Sequence, residues 1–362
     1  MTLFLKNIIL FLSIPFQLFA QTNNSERIDS LMQTYPDFSG VVLVADNGKP
    51  VYHKAFGYRE HAKRIPLQAS DIFELASVSK QFTAMIIMML KEKGKLNYDD
   101  AVEKYLDIPY KDITIRNLLT HTSGLPDYQD IMDKHWDKTK VAGNKEILEY
   151  INLHAPPKLF EPGAKYDYSN TGYVLLASIA EKAGNKDFIR MCQKWIFKPL
   201  RMRSTNIRTL RQKASTKNFA IGHIYVSERQ QYIRADSFPS SDYTIWLGNR
   251  KGPGRISSTA ADLLKWDRAL YAEKLVKNAT LQDAFKPMKL NNDSTSNYGF
   301  GWMLRSDSLL GKIVMHTGDN PGYSTQIVRY IATRKTIVLL SNNAYKDFPV
   351  MVQQIEAILI TH

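Results

Sequence analysis

Phe73-Glu74-Leu75-Ala76-Ser77-Val78-Ser79-Lys80-Gln81-Phe82-Thr83-Ala84 places a serine three residues before a lysine, at the head of an almost wholly apolar run. The run continues through Met85-Ile86-Ile87-Met88-Met89-Leu90 and stops at Gly94, a residue suited to a helix C-terminus. A helix apolar on every face is a buried helix. Positions i and i+3 share a face, so the spacing predicts the Ser77 hydroxyl and the Lys80 ammonium side by side where that helix begins. A lysine pressed into apolar surroundings loses proton affinity and serves as a base at neutral pH. An adjacent base is what an otherwise weak serine nucleophile requires. The helix start also offers free N–H groups and a positive dipole end to a developing oxyanion. Ser77 is the only serine in the chain followed by lysine at this spacing. A capping serine and a lysine that snorkels to solvent would read the same way, so the pair needs support from the rest of the sequence.

Upstream, an amphipathic segment (Ile28, Leu31, Met32, Tyr35) precedes two strand patterns, Gly40 to Ala45 and Val51 to Tyr58. Asp46-Asn47-Gly48-Lys49 between them supplies the turn residues of a hairpin. From about 95 to 254 the pattern is helical and loop-rich, punctuated by Pro126, Pro156-Pro157, Pro162-Gly163 and Pro199. Thr259-Ala260-Ala261-Asp262 reads as a helix cap. Strand character returns at Tyr298 to Leu304, Lys312 to His316, Ser324 to Tyr330 and Thr336 to Leu340, before a last helix with Val350, Val352, Ile355, Ile358 and Leu359. Strands at both ends around a helical middle predict an α+β fold: one sheet built from both ends of the chain, with an inserted all-α lobe. Short turns between the late strands predict antiparallel pairing.

Composition narrows the function. With 362 residues, 44% apolar and 23% charged, the chain is globular. Met1 to Ala20 reads as an export signal, with Lys6, an apolar core from Ile8 to Phe16, and Leu18-Phe19-Ala20 before Gln21. The core is too short for a membrane span, so the expected product is a periplasmic or secreted protein with no stable span after signal cleavage. The remaining chain, 21–362, reads as one catalytic domain, with an α/β lobe at about 24–94 and 255–362 and a helical lobe at about 95–254. A single cysteine, Cys192, excludes an internal disulfide and sits in an apolar helical context suited to the core. The net charge of +13 is scattered rather than blocked, which argues against nucleic acid and is compatible with anionic envelope polymers. No phosphate loop, dinucleotide fingerprint or metal-ligand spacing of the eight histidines is present, so no metal or cofactor is expected.

Two further stretches have chemical content. In Phe160-Glu161-Pro162-Gly163-Ala164-Lys165-Tyr166-Asp167-Tyr168-Ser169-Asn170-Thr171-Gly172-Tyr173 a turn precedes Tyr168 and Asn170, and an apolar helix follows. A loop tyrosine there can point its phenol into a cleft, where neighbouring cations would lower its proton affinity and let it relay protons. Asn170 offers an amide to a substrate carbonyl or to Lys80. Tyr150-Ile151-Asn152 repeats the three-letter pattern inside a helical stretch and reads as structure. Met315-His316-Thr317-Gly318-Asp319-Asn320-Pro321-Gly322-Tyr323 closes a strand. Gly318 would let a substrate backbone approach the strand edge, and the Asp319 N–H could face that of Ser77 across an oxyanion.

Ser-x-x-Lys, Tyr-x-Asn and His-Thr-Gly in this order resemble the penicillin-recognising serine hydrolases, in the branch of class C β-lactamases, D-peptidases and esterases. The resemblance extends to Leu118-Leu119-Thr120-His121-Thr122-Ser123-Gly124-Leu125-Pro126, Ile196-Phe197-Lys198-Pro199-Leu200, Ser257 to Leu263 and Tyr298-Gly299-Phe300-Gly301-Trp302. It implies a Ser77 acyl-enzyme, proton transfer through Lys80 and Tyr168, and a substrate held by Asn170, His316, Thr317, Gly318 and Asp319, with Tyr128 near the substrate amide. It also implies a small-molecule or peptide substrate, peptidoglycan-derived ones included. Class C β-lactamases have lysine where this chain has His316; a mostly neutral histidine holds a carboxylate less well. His-Thr-Gly therefore favours ester or D-amino-acid amide hydrolysis over β-lactamase activity. A class C-like β-lactamase and a low-turnover penicillin-binding sensor are the alternatives. Trp246 and Arg250 read as a packed aromatic and a solvated charge.

Overall fold

Asn47 and Gly48 both take left-handed backbone (φ 48 and 70), the turn that lets two residues reverse a right-twisted pair of strands. In the computed structural model, which describes residues 16–360, this turn joins Gly40–Asp46 to Lys49–Phe56. The leader expected over residues 1–20 lies largely outside the described residues. Gly40–Asp46 pairs antiparallel with Lys335–Ser341, Gly40 opposite Ser341 and Asp46 opposite Lys335. The full sheet runs Met303–Asp307, Gly311–Asn320, Tyr323–Tyr330, Lys335–Ser341, Gly40–Asp46, Lys49–Phe56, antiparallel throughout. Both ends of the chain thus build one sheet, and its central strands are apolar at consecutive positions because both faces are covered.

Side-chain alternation assigns the two faces. Val42, Val44, Ile337 and Leu339 pack with Ile28, Met32, Met351 and Ile355 of the two terminal helices, Phe16–Gln33 and Phe348–Ile360. Val41, Leu43, Val338 and Leu340 pack on the opposite face, in the large core that contains Phe82, Met85, Leu263 and Trp266. Arg329 reaches from the sheet to Asp267 of the helix Ala260–Leu270 at 2.6 Å, both side chains 1% exposed. Among the described residues no helix is long and apolar enough to cross a membrane.

The buried run after Ser77 is a helix, but in two pieces. Ala76–Ser79 forms a 3-10 turn and Lys80–Glu92 the α-helix, with residues 80 to 88 and Leu90 all buried. It packs against the helix Asn170–Gly184. Three elements depart from the sequence expectation. Tyr298 makes only an isolated bridge to Met303, and the strand begins at Met303, because Gly299 and Gly301 bring the chain against neighbouring backbone. Short pairings, Phe73–Glu74 and Asn206–Ile207 with Ile256–Ser258, tie the Ser77 turn to the distant 250s. A hairpin, His223–Val226 with Gln231–Arg234, also interrupts the helical middle. Strands of two to four residues have too few positions for a periodicity to register.

Candidate active site

Lys80 is fully buried, and its ammonium nitrogen has three neighbours. Nζ lies 3.0 Å from Ser77 Oγ, 2.9 Å from Asn170 Oδ1 and 3.0 Å from the Pro253 carbonyl. Burial, and then the positive charge of Arg250, hold its proton affinity well below that of ordinary lysine. Once it has given up its proton, the amine has two N–H donors and one lone pair. In that form Asn170 Oδ1 and Pro253 O, which only accept, would take the two donors and leave the lone pair to the Ser77 hydroxyl. The sequence spacing anticipated the side-by-side pair; Pro253, far along the chain, fixes its direction.

Asn170 opens its helix behind a Ser169 cap, whose side chain accepts from the Gly172 N–H. That cap orients the amide at Lys80. Tyr168, just before it, lays its ring 4.7 Å from Lys80 Nζ, hydrogen-bonds Ser77 and keeps 36% of its surface exposed. Here the expectation of a lowered phenol fails. Desolvation dominates and raises the Tyr168 pKa, and the Ser77 hydrogen bond offsets only part of that. The lowered proton affinity of Lys80 also weakens the help its charge could give a phenolate beside it.

His316 is fully buried on the other wall. Its Nδ1 lies 2.5 Å from the Thr317 carbonyl, an acceptor, so Nδ1 bears the proton and Nε2 accepts from the Tyr298 hydroxyl at 2.8 Å. Burial and the nearby Lys80 push its pKa down to about 3, so the imidazole is neutral. Thr317 is exposed beyond it. Gly318 has a tighter reason than substrate approach: a Cβ there would meet Leu75 O at 2.3 Å and Thr325 Oγ1 at 2.4 Å. The glycine lets the strand press against the Ser77 turn. Asp319 is exposed, with its carboxyl held above the usual range by partial burial. Asn320 and Tyr323 close a two-residue hairpin, and Asp319 pairs with Ser324. Hydrogen-bonded and non-bonded pairs alternate from that turn, which turns the Asp319 N–H away from its partner strand. The outer strand Met303–Asp307 reaches only as far as Met315, so that edge is open.

Tyr128 does not face the cleft. It is fully buried, its N–H donates to Thr171 Oγ1 at 2.9 Å, and its hydroxyl accepts from Arg250. Arg250 is correspondingly no solvated charge: it is 8% exposed and close enough to depress Lys80. Trp246 is packed, its indole N–H donating to Asp242. Sequence reasoning also passed over His121. It is fully buried, with ring centroids 4.3 Å from Tyr168, 4.4 Å from Tyr298 and 5.1 Å from Tyr173. Its Nδ1 accepts the Ser169 N–H at 3.0 Å, tying the Leu118–Pro126 stretch to the tyrosine loop. A histidine within an apolar-flanked Thr-His-Thr-Ser-Gly turn was the available signal.

A serine beside a buried lysine of lowered proton affinity, an amide, a tyrosine of raised pKa and an open strand edge define acyl-transfer chemistry. Consistent with this, the family model described as Beta-lactamase matches residues 28–359. Penicillin-binding protein 4* of Bacillus subtilis is 40% identical over 325 residues, covering 88% of this chain and 72% of that protein. Other curated relatives are longer, the chain spanning 63% of several of them. Among solved structures, a penicillin binding protein from Bacillus halodurans superposes with a TM-score of 0.78 at 26% identity, covering 91% of this chain and 98% of that one. The D-amino acid amidase from Ochrobactrum anthropi SV3, complexed with D-phenylalanine, shares the fold with a TM-score of 0.74 at 23% identity, covering 93% and 99%. The chain belongs to the Beta-lactamase family, and it is a serine hydrolase of the penicillin-recognising superfamily.

Proposed function

We propose that the protein is an exported hydrolase that cleaves an ester or a D-amino-acid amide through an acyl group on Ser77, within a single catalytic domain spanning 21–362. The observation that supports this is the placement of Lys80 Nζ, buried, of lowered proton affinity, 3.0 Å from Ser77 Oγ and held there by two obligate acceptors. Ser77 Oγ attacks the carbonyl and its proton passes to Lys80. The N–H groups of Ser77 and Asp319 receive the oxyanion. Tyr168 gives its proton to the leaving group and regains one from Lys80, so the breaking bond expels a neutral alcohol or amine. Water then attacks the acyl-enzyme, its proton returning through the same pair. Asn170, Thr317 and the open edge beyond Gly318 hold the substrate. A neutral His316 brings no charge for a β-lactam carboxylate, which favours esters and amides over β-lactams. Residues 1–20 carry the export reading.

A fluorescent fluorophosphonate and a fluorescent penicillin test the acyl-enzyme. Wild type is expected to label and Ser77→Ala to stay dark; equal labelling of both sinks the proposal. Turnover of p-nitrophenyl esters, D-Ala-D-Ala peptides and a chromogenic cephalosporin then ranks substrates. Cephalosporin turnover faster than the rest would overturn the argument from His316, and labelling without any turnover would indicate a sensor.

A further inference from the structure

A cavity of about 570 Å³ is lined by none of the residues assigned above to the active site. Its walls include Glu74, three residues before Ser77, together with Arg255 and the Asn320-Pro321 corner that follows Asp319. Six cationic side chains line it. Four have carboxylate partners: Arg59 with Asp71, Lys63 with Glu60, Lys213 with Glu74, and Arg234 with Asp236. Lys217 and Arg255 have no ion-pair partner among the described residues.

Arg255 is the telling one. It is 3% exposed, and its two terminal nitrogens donate to the Thr244 and Gly248 carbonyls at 3.1 and 2.9 Å. Its Nε has no partner among the described residues. A buried guanidinium without an anion is a costly arrangement. The backbone adds a second cost, because Arg255 sits at φ 79, a conformation that glycine adopts freely and a long side chain does not. Strain and an uncompensated charge at one residue point to function rather than packing. Arg255 also acts, after burial, to lower the proton affinity of Lys213 in the same wall. Ile65, Leu210, Phe219 and Ile245 give the same cavity an apolar lining.

We propose that this cavity binds a small organic anion, a carboxylate or phosphate on an apolar group, with its charge at Arg255 and Lys217 and its apolar part against Phe219 and Leu210. The test uses full-length Ser77→Ala protein, so that it does not depend on the hydrolase reading. Titration calorimetry is run with benzoate, phenyl phosphate and the neutral isostere benzamide. The expected result is one saturable site for at least one anion, with benzamide weaker by about tenfold or more; the tighter of the two anions identifies the headgroup. Arg255→Gly, which suits the backbone, should weaken the anion by a similar factor while circular dichroism confirms folding. Lys217→Gln, on an exposed side chain, should weaken it several-fold and decides the matter if Arg255→Gly does not fold. No saturable anion binding, equal binding of benzamide, or anion affinity unchanged in the folded variants would overturn the proposal.

Discussion

Replacing Gly318 with alanine tests how closely the strand must approach the Ser77 turn. The glycine is not in the left-handed region, so the substitution probes space alone. Its Cβ would lie 2.3 Å from Leu75 O, 2.4 Å from Thr325 Oγ1 and 3.1 Å from the Ala76 Cβ. Thr325 could swing away, but it would forfeit its 2.8 Å bond to the same Leu75 carbonyl. Leu75 O is backbone, fixed further because the Leu75 N–H donates to Ile256 O at 2.9 Å. Ordinary contact would therefore require the strand and turn to part by about 1 Å. Overpacking of this kind costs about 1–3 kcal/mol, a fall in Tm of a few degrees for a chain of this size. The separation also widens the gap between the Ser77 and Asp319 N–H groups. Misplacement by about 1 Å costs roughly 100-fold, and a lost oxyanion donor about 100- to 1,000-fold. The expected outcome is kcat/KM on a p-nitrophenyl ester lower by about 100-fold or more, with a modest Tm loss. Gly94→Ala is the control: at φ 65 with nothing within 4 Å, it should lower Tm slightly and leave kcat/KM alone. Wild-type kcat/KM in Gly318→Ala would refute the reasoning.

Arg250→Met removes a like charge from beside Lys80, so the lysine holds its proton more tightly. The ascending limb of kcat/KM against pH should move to higher pH, and an unmoved limb would show that Arg250 plays no electrostatic part. Tyr168→Phe should slow ester turnover by about 100- to 10,000-fold; a rate equal to wild type would exclude Tyr168 from proton transfer. Native His316 stays neutral down to about pH 3, whereas an unfolded histidine protonates near pH 6.5. Between those values the unfolded state binds the extra proton. Stability should therefore fall as pH drops through this window, by about 1.4 kcal/mol per pH unit for this residue. His121, also lowered by burial, adds to the slope. His316→Gln should flatten the urea-denaturation profile by one proton's worth, and an unchanged slope would contradict the buried neutral assignment.

The sheet was legible because its signals are local and repeated. Asn47-Gly48 specifies the hairpin turn by backbone preference alone, and Val41 to Ala45 with Thr336 to Leu340 are apolar runs that suit strands covered on both faces. The Tyr298–Trp302 stretch misled because its aromatics are buried in an irregular segment that only resembles a strand in composition. The small pairings around Ile256–Ser258 left no periodic trace, yet they set where Ser77 stands relative to the Pro253 carbonyl.

The site divides along the same line. Ser77 and Lys80 are neighbours on one turn, so spacing alone places them together. The sign of each proton affinity is a different matter, because it depends on what else the fold brings within a few ångströms. Tyr168 was expected to be acidified by cations. The cation it needed is Lys80, and the burial that makes Lys80 a base also loosens its hold on the proton that carries that charge. The two effects are one cause seen from two side chains: the fold excludes water from around Lys80, and Arg250, held by Tyr128, adds repulsion that only the folded chain supplies. A neutral lysine can take a proton from serine, and a protonated tyrosine can give one to a leaving group. With Lys80 charged and Tyr168 ionised, the same residues would hold the same places with the proton on the wrong partner for attack. The chemistry therefore depends less on the Ser-x-x-Lys spacing than on the dryness of the pocket that Pro253, Asn170 and Arg250 close around it.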